Sequence, residues 1–282
     1  MTDYPTSLLP DRGRCTGCGA CASGCPKGAI HMLPDREGFL YPTVTDACIQ
    51  CGHCAHICPV LKQREPRPEP AVFAAWNPNA SVRQASTAGG VFPLLAEYIL
   101  DEGGVVFGAA LDQELRVRHI AVKDKAELPR LQGAKPVQSD LGDSFGRGLR
   151  QRLFLRPACP RCPYTSTDRP ADLTLGIYRD PPKDFHPEVP RYSISLLLVN
   201  SAKGAHYFDT LPLKREKLTL DQAVACAGAL SAPQEASGSR EDFFAAFCQQ
   251  PFQQVRNRFL SASPLPQPLE RLRQLLKHPK EK

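Results

Sequence analysis

No apolar run in this chain approaches the length of a membrane span. The longest candidate, Ile194 to Val199, is strand-sized, against the roughly 20 residues that a spanning helix needs. The N-terminus lacks the basic-then-apolar layout of a secretory signal. No Ser–His–Asp or paired-carboxylate arrangement stands out, and no nucleic-acid motif accompanies the basic residues. With 42% hydrophobic residues over 282 positions, these absences predict a soluble protein. It is long enough for a small module plus one full domain with its own core.

What the chain does have is cysteine, twelve in all. Eight fall in two matching runs, Cys15-x-x-Cys18-x-x-Cys21-x-x-x-Cys25-Pro26 and Cys48-x-x-Cys51-x-x-Cys54-x-x-x-Cys58-Pro59. Three thiolates at this spacing wrap one cubane iron–sulfur cluster within a single loop. The fourth sits too far along to close the same cage and ligates the other cluster. The spacing therefore predicts two 4Fe-4S clusters, one held by Cys15, Cys18, Cys21 and Cys58, the other by Cys48, Cys51, Cys54 and Cys25. Structural zinc would need only four ligands in paired C-x-x-C form. Disulfides would need an oxidising compartment, whereas clusters need a reducing one. The expected location is the cytoplasm, in an organism living with little oxygen. Gly17, Gly19 and Gly52 let backbone N–H groups approach sulfur. His53 and His56 lie inside the second run, where every sulfur position is already filled, so they are read as supporting residues.

The net charge of +6 is uneven: residues 250–282 carry seven Lys/Arg against two Asp/Glu. Such a tail could touch nucleic acid or acidic membrane lipid, but more often it is a solvated helix face or a dock for an acidic redox partner.

In chain order, Ala29–Leu33 and Phe39–Val44 read as strands joined by a turn, so a hairpin separates the two cysteine loops. Gln63–Pro70 is charged and proline-rich, which suits a stiff linker. The expected domains are 1–62, a two-cluster module, then the 63–70 linker, then 71–282. Ala71–Trp76 reads as a strand. Ser86-Thr87-Ala88-Gly89-Gly90 precedes a helix whose apolar face is Val91, Leu94, Leu95, Tyr98 and Ile99 and whose stop is Gly103. Hydroxyls and glycines there are either an anion cradle at a helix start or a tight turn with a cap. Strands are expected over Val105–Leu111 and Leu115–Val122, a short helix over Lys123–Leu131, and a longer one over Leu141–Leu155. Between those helices Lys135 supplies a cation. Cys159-Pro160-Arg161-Cys162 could hold a metal, form a redox dithiol or be inert. Ala171–Tyr178 and Tyr192–Asn200 are β-type, and Thr219-x-x-Gln222 opens a helix containing Cys226. A helix from Arg240 is expected to bury Phe243, Phe244 and Phe247, with Cys248 as a packed core thiol. Amphipathic helices around Phe252–Leu260 and Leu269–Lys277 follow.

With these blocks in place the chain resembles the beta subunits of coenzyme F-420 hydrogenases and dehydrogenases. The resemblance runs through EGFLYP (Glu37–Pro42), AAWN (Ala74–Asn77), the turn at Ser86–Phe92 and QGAKPVQSDLGDSF (Gln132–Phe145). CPRCPYTSTDRPADLTLG (Cys159–Gly176) and SISLLLVNSAKG (Ser193–Gly204) complete it. It implies an iron–sulfur flavoprotein passing electrons between its clusters and a flavin such as FAD, with coenzyme F-420 or another acceptor as substrate. On that resemblance Ser86, Thr87, Gly89 and Gly90 would hold flavin phosphate, and Lys135 would offset its charge. The chain departs from the family after residue 155, where a long segment with two further cysteines is missing. Gly176-Ile177-Tyr178-Arg179-Asp180 replaces a G-D-F-W-G stretch. Cys159 and Cys162 are thus expected to be dispensable for cluster content.

Two functions follow: an oxidoreductase subunit serving a flavin or deazaflavin acceptor, or a non-catalytic ferredoxin-like electron carrier that has lost the flavin site. In either case a redox partner protein is implied. The expected fold is α+β, a ferredoxin-like two-cluster module followed by a mixed-sheet α/β domain.

Overall fold

A computed structural model describes residues 8–62, 65–114, 117–131, 144–179, 181–182, 185–186, 188–190, 193–227, 230 and 232–261. Lys135 and the expected helix at 269–277 lie outside these residues. In chain order the elements are α1 (Ala20–Ser23), β1 (Ile30–Pro34), β2 (Leu40–Val44), α2 (His53–His56), β3 (Ala71–Trp76), α3 (Ala80–Ala85), α4 (Val91–Asp101), β4 (Val106–Leu111) and β5 (Val117–Val122). They continue with α5 (Ser144–Arg150), β6 (Leu173–Ile177), β7 (Ser195–Val199), α6 (Ala202–Thr210), β8 (Lys214–Leu218), α7 (Leu220–Cys226), α8 (Arg240–Gln249) and α9 (Phe252–Phe259). Helix and sheet are mixed, and two compact units are present. One is drawn from Met1–Lys62, Ser139–Arg161 and Glu235–Lys282, the other from Gln63–Gln138 and Cys162–Gln234.

In the first unit β1 and β2 pair antiparallel, Ile30 opposite Val44 and Pro34 opposite Leu40. The turn between them is tied by Asp35, whose Oδ1 accepts the N–H groups of Glu37 at 2.9 Å and Phe39 at 3.0 Å. Gly38 takes a left-handed φ of 86°, which only glycine adopts without strain. Phe39 then packs against Phe244 of α8, in an apolar core with Leu153, Phe154, Phe243, Val255, Phe259 and Leu260. Glu37, half-buried beside it, pairs with the buried Arg240 at the start of α8.

The helix expected over Leu141–Leu155 is shorter in the structure. α5 ends at Arg150, the chain turns through Arg152 at φ 57°, and Leu153 N–H returns to the Gly148 carbonyl at 3.0 Å. Gly148 permits this reversal, because a Cβ there would lie 2.2 Å from the Phe154 ring. Two expectations for α8 fail. Phe247 is 45% exposed, and Cys248 is exposed, its thiol donating to the Arg36 carbonyl at 3.1 Å. The face that α8 buries runs through Phe243, Phe244 and Ala246. Phe247 shares it, its ring 5.9 Å from that of Phe243 and 6.4 Å from that of Phe244. In the last turn, however, Phe247 borders an open cavity, and Cys248 lies at the edge of that face.

The second unit is built on a four-stranded sheet in the order β6-β7-β3-β8. A mixed sheet is the expectation from sequence, but each adjacent pairing is antiparallel. β7 and β8 run parallel to each other only across the intervening β3, with α6 making the crossover. The run Ser195–Val199 is buried at every position, the pattern of a strand covered on both faces. Leu196 and Leu198 meet Val72, Ala74, Trp76 and Ala223 on one side. Leu197 and Val199 meet Ala75, Val91 and Phe208 on the other. β8 reads Lys-Arg-Glu-Lys-Leu and is invisible to an apolar pattern. Its charges suit an edge strand that must not recruit another chain. The helix expected over Lys123–Leu131 is only a single tight turn at Leu128–Arg130, since Pro129 cannot donate to a helical ladder.

Candidate iron–sulfur centres

The two cysteine loops have the same backbone plan. In the first, Gly17 and Gly19 take left-handed φ values of 71° and 76°; in the second, Gln50 and Gly52 take 53° and 73°. Gly19 and Gly52 open the short helices α1 and α2, which carry Cys21 and Cys54. Where the loops meet, Gly24 faces its counterpart Ile57: a Cβ on Gly24 would sit 2.2 Å from Ile57 Cδ1. One side is glycine so that the other can be large.

This plan gathers the thiols into two sets. Cys15, Cys18, Cys21 and Cys58 line one cavity, together with Leu9, Met32, Pro42 and Val60. Cys25, Cys48, Cys51 and Cys54 line another, with Leu8, Ile30 and Ile49 among its walls. The last cysteine of each run thus stands with the first three of the other. All eight are free thiols. Ala29 N–H donates to Cys25 Sγ at 3.3 Å and Gln50 N–H to Cys48 Sγ at 3.4 Å. His53 and His56 are exposed on α2 and line neither cavity.

Burial pushes the Cys21 thiol up to about 11, with Ala22 N–H opposing and the charges of Cys15, Cys18 and Cys58 adding to the rise. Burial likewise raises Cys54, against hydrogen bonds from the backbone and with help from Cys48 and Cys51. Four thiolates in one apolar cavity repel one another unless a cationic centre binds them, and metal binding deprotonates thiols outright. Among the described residues no three His, Cys, Asp or Glu side chains are grouped as for a single metal ion. The sulfurs ring a cavity instead, so the donor set fits a multi-atom cluster.

Residues 14–61 match the 4Fe-4S dicluster domain. An uncharacterized ferredoxin of Methanocaldococcus jannaschii is 38% identical over 52 residues, which is 18% of this chain and 68% of that protein. Over this region the chain belongs to the 4Fe-4S dicluster ferredoxins. Iron–sulfur electron transfer is the chemistry this supports. Among the described residues no helix is long and apolar enough to cross a membrane.

The residues read as a flavin-phosphate turn lie between α3 and α4. Ser86, Thr87 and Gly90 line a cavity of about 560 Å³ with Val82, Phe92, Glu97, Gly176 and Ser195. Gly89 is packed beneath it: its N–H donates to Ser195 Oγ at 3.0 Å, and a Cβ would lie 2.4 Å from the Ala75 carbonyl oxygen. Ser86 Oγ donates to the Val82 carbonyl at 2.8 Å. Among the described lining residues the one charged side chain is that of Glu97. Cys159 and Cys162 are half-buried free thiols. Cys226 packs against the apolar core around Trp76, and burial raises its pKa.

Sequence reasoning missed Arg156. Its Nε donates to the Cys15 carbonyl at 2.7 Å and its Nη2 to the Leu40 carbonyl at 2.7 Å, while the guanidinium lies over the Tyr41 ring at 4.1 Å. It comes from a segment 141 positions beyond Cys15, so no local motif points to it.

Proposed function

We propose that this protein is an electron carrier with two 4Fe-4S clusters, one bound by Cys15, Cys18, Cys21 and Cys58, the other by Cys25, Cys48, Cys51 and Cys54. The observation carrying this reading is the division of eight free thiols between two apolar cavities, each with three cysteines of one run and the last of the other. Bound clusters would supply one-electron carriage. The protein's part is to bury Cys15, Cys21 and Cys58, donate Ala29 and Gln50 N–H groups to Cys25 and Cys48, and leave Cys18 and Cys51 exposed toward a partner. Chemical analysis after anaerobic reconstitution is expected to give about eight irons per chain. Cys58→Ser should alter the spectrum of the same cluster as Cys15→Ser. Grouping of Cys58 with Cys48, Cys51 and Cys54 instead would sink the crossed assignment.

A flavin or deazaflavin acceptor is the finer reading, and the cavity of about 560 Å³ beside Ser86, Thr87 and Gly90 favours it, being of cofactor size. Residues 71–282 would then be a hydrogenase or dehydrogenase beta-subunit-like domain, with Lys135 offsetting the negative charge of the cofactor, and the chain an oxidoreductase subunit. Against tight binding stand the carboxylate of Glu97 in that cavity and the engagement of Gly89 N–H by Ser195. Titration with FAD is expected to give micromolar or weaker binding. Stoichiometric submicromolar binding would establish the flavoenzyme.

A further inference from the structure

We infer that Arg156 makes the two cluster sites unequal. Its guanidinium raises the reduction potential of the cluster held by Cys15, Cys18, Cys21 and Cys58 above that of its twin, so electrons settle there. The inference rests on the reading of the eight cysteines as ligands and adds a direction to it.

Three observations converge on this cation. Two carbonyls, of Cys15 and Leu40, each take a hydrogen bond of 2.7 Å from the guanidinium, and the Tyr41 ring supports its face. So held, Nη2 stands 4.0 Å from Cys15 Sγ. The third observation concerns Gly17. Its counterpart in the second loop is Gln50, and both have left-handed backbones, so the conformation alone does not demand glycine. A Cβ on Gly17 would lie 2.7 Å from Arg156 Nη1. The first loop is glycine where the guanidinium lies, and the second keeps a side chain.

The second set has no equivalent among the described residues. Its sulfurs receive main-chain donors from Ala29 and Gln50. Lys27 borders its cavity but is exposed, and solvent and salt screen an exposed ammonium. A cluster gains one negative charge on reduction, so a fixed cation beside one site favours its reduced form, and hydrogen bonds and exposure are established tuning levers. The step is one electron leaving the second cluster as one enters the first, with no proton or other reactant.

The test is a redox titration of the anaerobically reconstituted full chain, followed by electron paramagnetic resonance. In Arg156→Gln, the cluster whose signal Cys18→Ser alters is expected to fall about tenfold in its reduced-to-oxidised ratio at fixed ambient potential, about 59 mV for a one-electron couple. The other cluster should be unchanged and iron should stay near eight per chain. If Arg156→Gln loses iron, Arg156→Lys is titrated in its place. That variant keeps the charge without the planar fork and is expected to fall about threefold. Unchanged potentials in a fully loaded variant, or a shift confined to the other cluster, overturn the proposal. A wild-type chain that takes up no iron overturns the cluster reading with it.

Discussion

At the scale of single residues, Glu37 and Arg240 form the most consequential ion pair among the described residues. Their side chains are 13% and 10% exposed, and Arg240 Nε also donates to the Leu155 carbonyl. Removing one partner strands a buried charge. Glu37→Gln is therefore expected to cost about 3 kcal/mol, measured as a loss of stability in urea unfolding. His186 behaves differently. Its Nδ1 lies 3.0 Å from Glu188 and its Nε2 2.7 Å from Glu216. The Glu188 hydrogen bond raises its pKa above 6.5, burial opposes this, and Glu216 adds to the rise. A raised folded-state value means the contribution to stability is fully present below about pH 6.5 and fades as pH climbs through the folded value. A proton NMR titration of His186 should show a midpoint above 6.5 that drops in Glu188→Gln.

Among elements, the hairpin and the cysteine loops were the most legible parts of the sequence, because their signals are local. Turn residues mark β1 and β2, and cysteine spacing marks the loops. The EGFLYP block now has a physical account: Glu37 meets Arg240, Gly38 makes the turn, Phe39 enters the core with Phe244, and Tyr41 lies under Arg156. Its partners lie in distant segments and could not be read from the block itself. β8 was hidden because an edge strand of four successive charged residues has no apolar period, and Arg156 because nothing near it in sequence needs a cation. The Gly24–Ile57 contact between the loops carries its own prediction. Gly24→Leu is expected to cost about 1–3 kcal/mol through overpacking. Part of that should return in the double variant with Ile57→Ala, since residues in contact couple non-additively. Thermal loss of the cluster absorbance in the three variants would measure both effects, and strict additivity would contradict the contact.

For the whole molecule, the net charge of +6 bears on association. An acidic donor protein is expected to reduce the chain about tenfold more slowly in high than in low salt, through loss of electrostatic steering. Stopped-flow rates at two ionic strengths measure it, and a salt-independent rate would place the docking surface away from the basic residues. The unit holding the two cysteine runs is gathered from three stretches of chain, and that has a consequence in time. On a ribosome adding roughly 5–20 residues per second, Cys58 emerges about a hundred residues ahead of Arg156. For some 5–20 seconds the nascent chain carries both cysteine runs without Arg156 against Cys15, and Arg240 follows later still. An assembly factor delivering clusters during that interval meets the ligands before their charge environment is complete, so a cluster's affinity for electrons would be set only after it has been inserted.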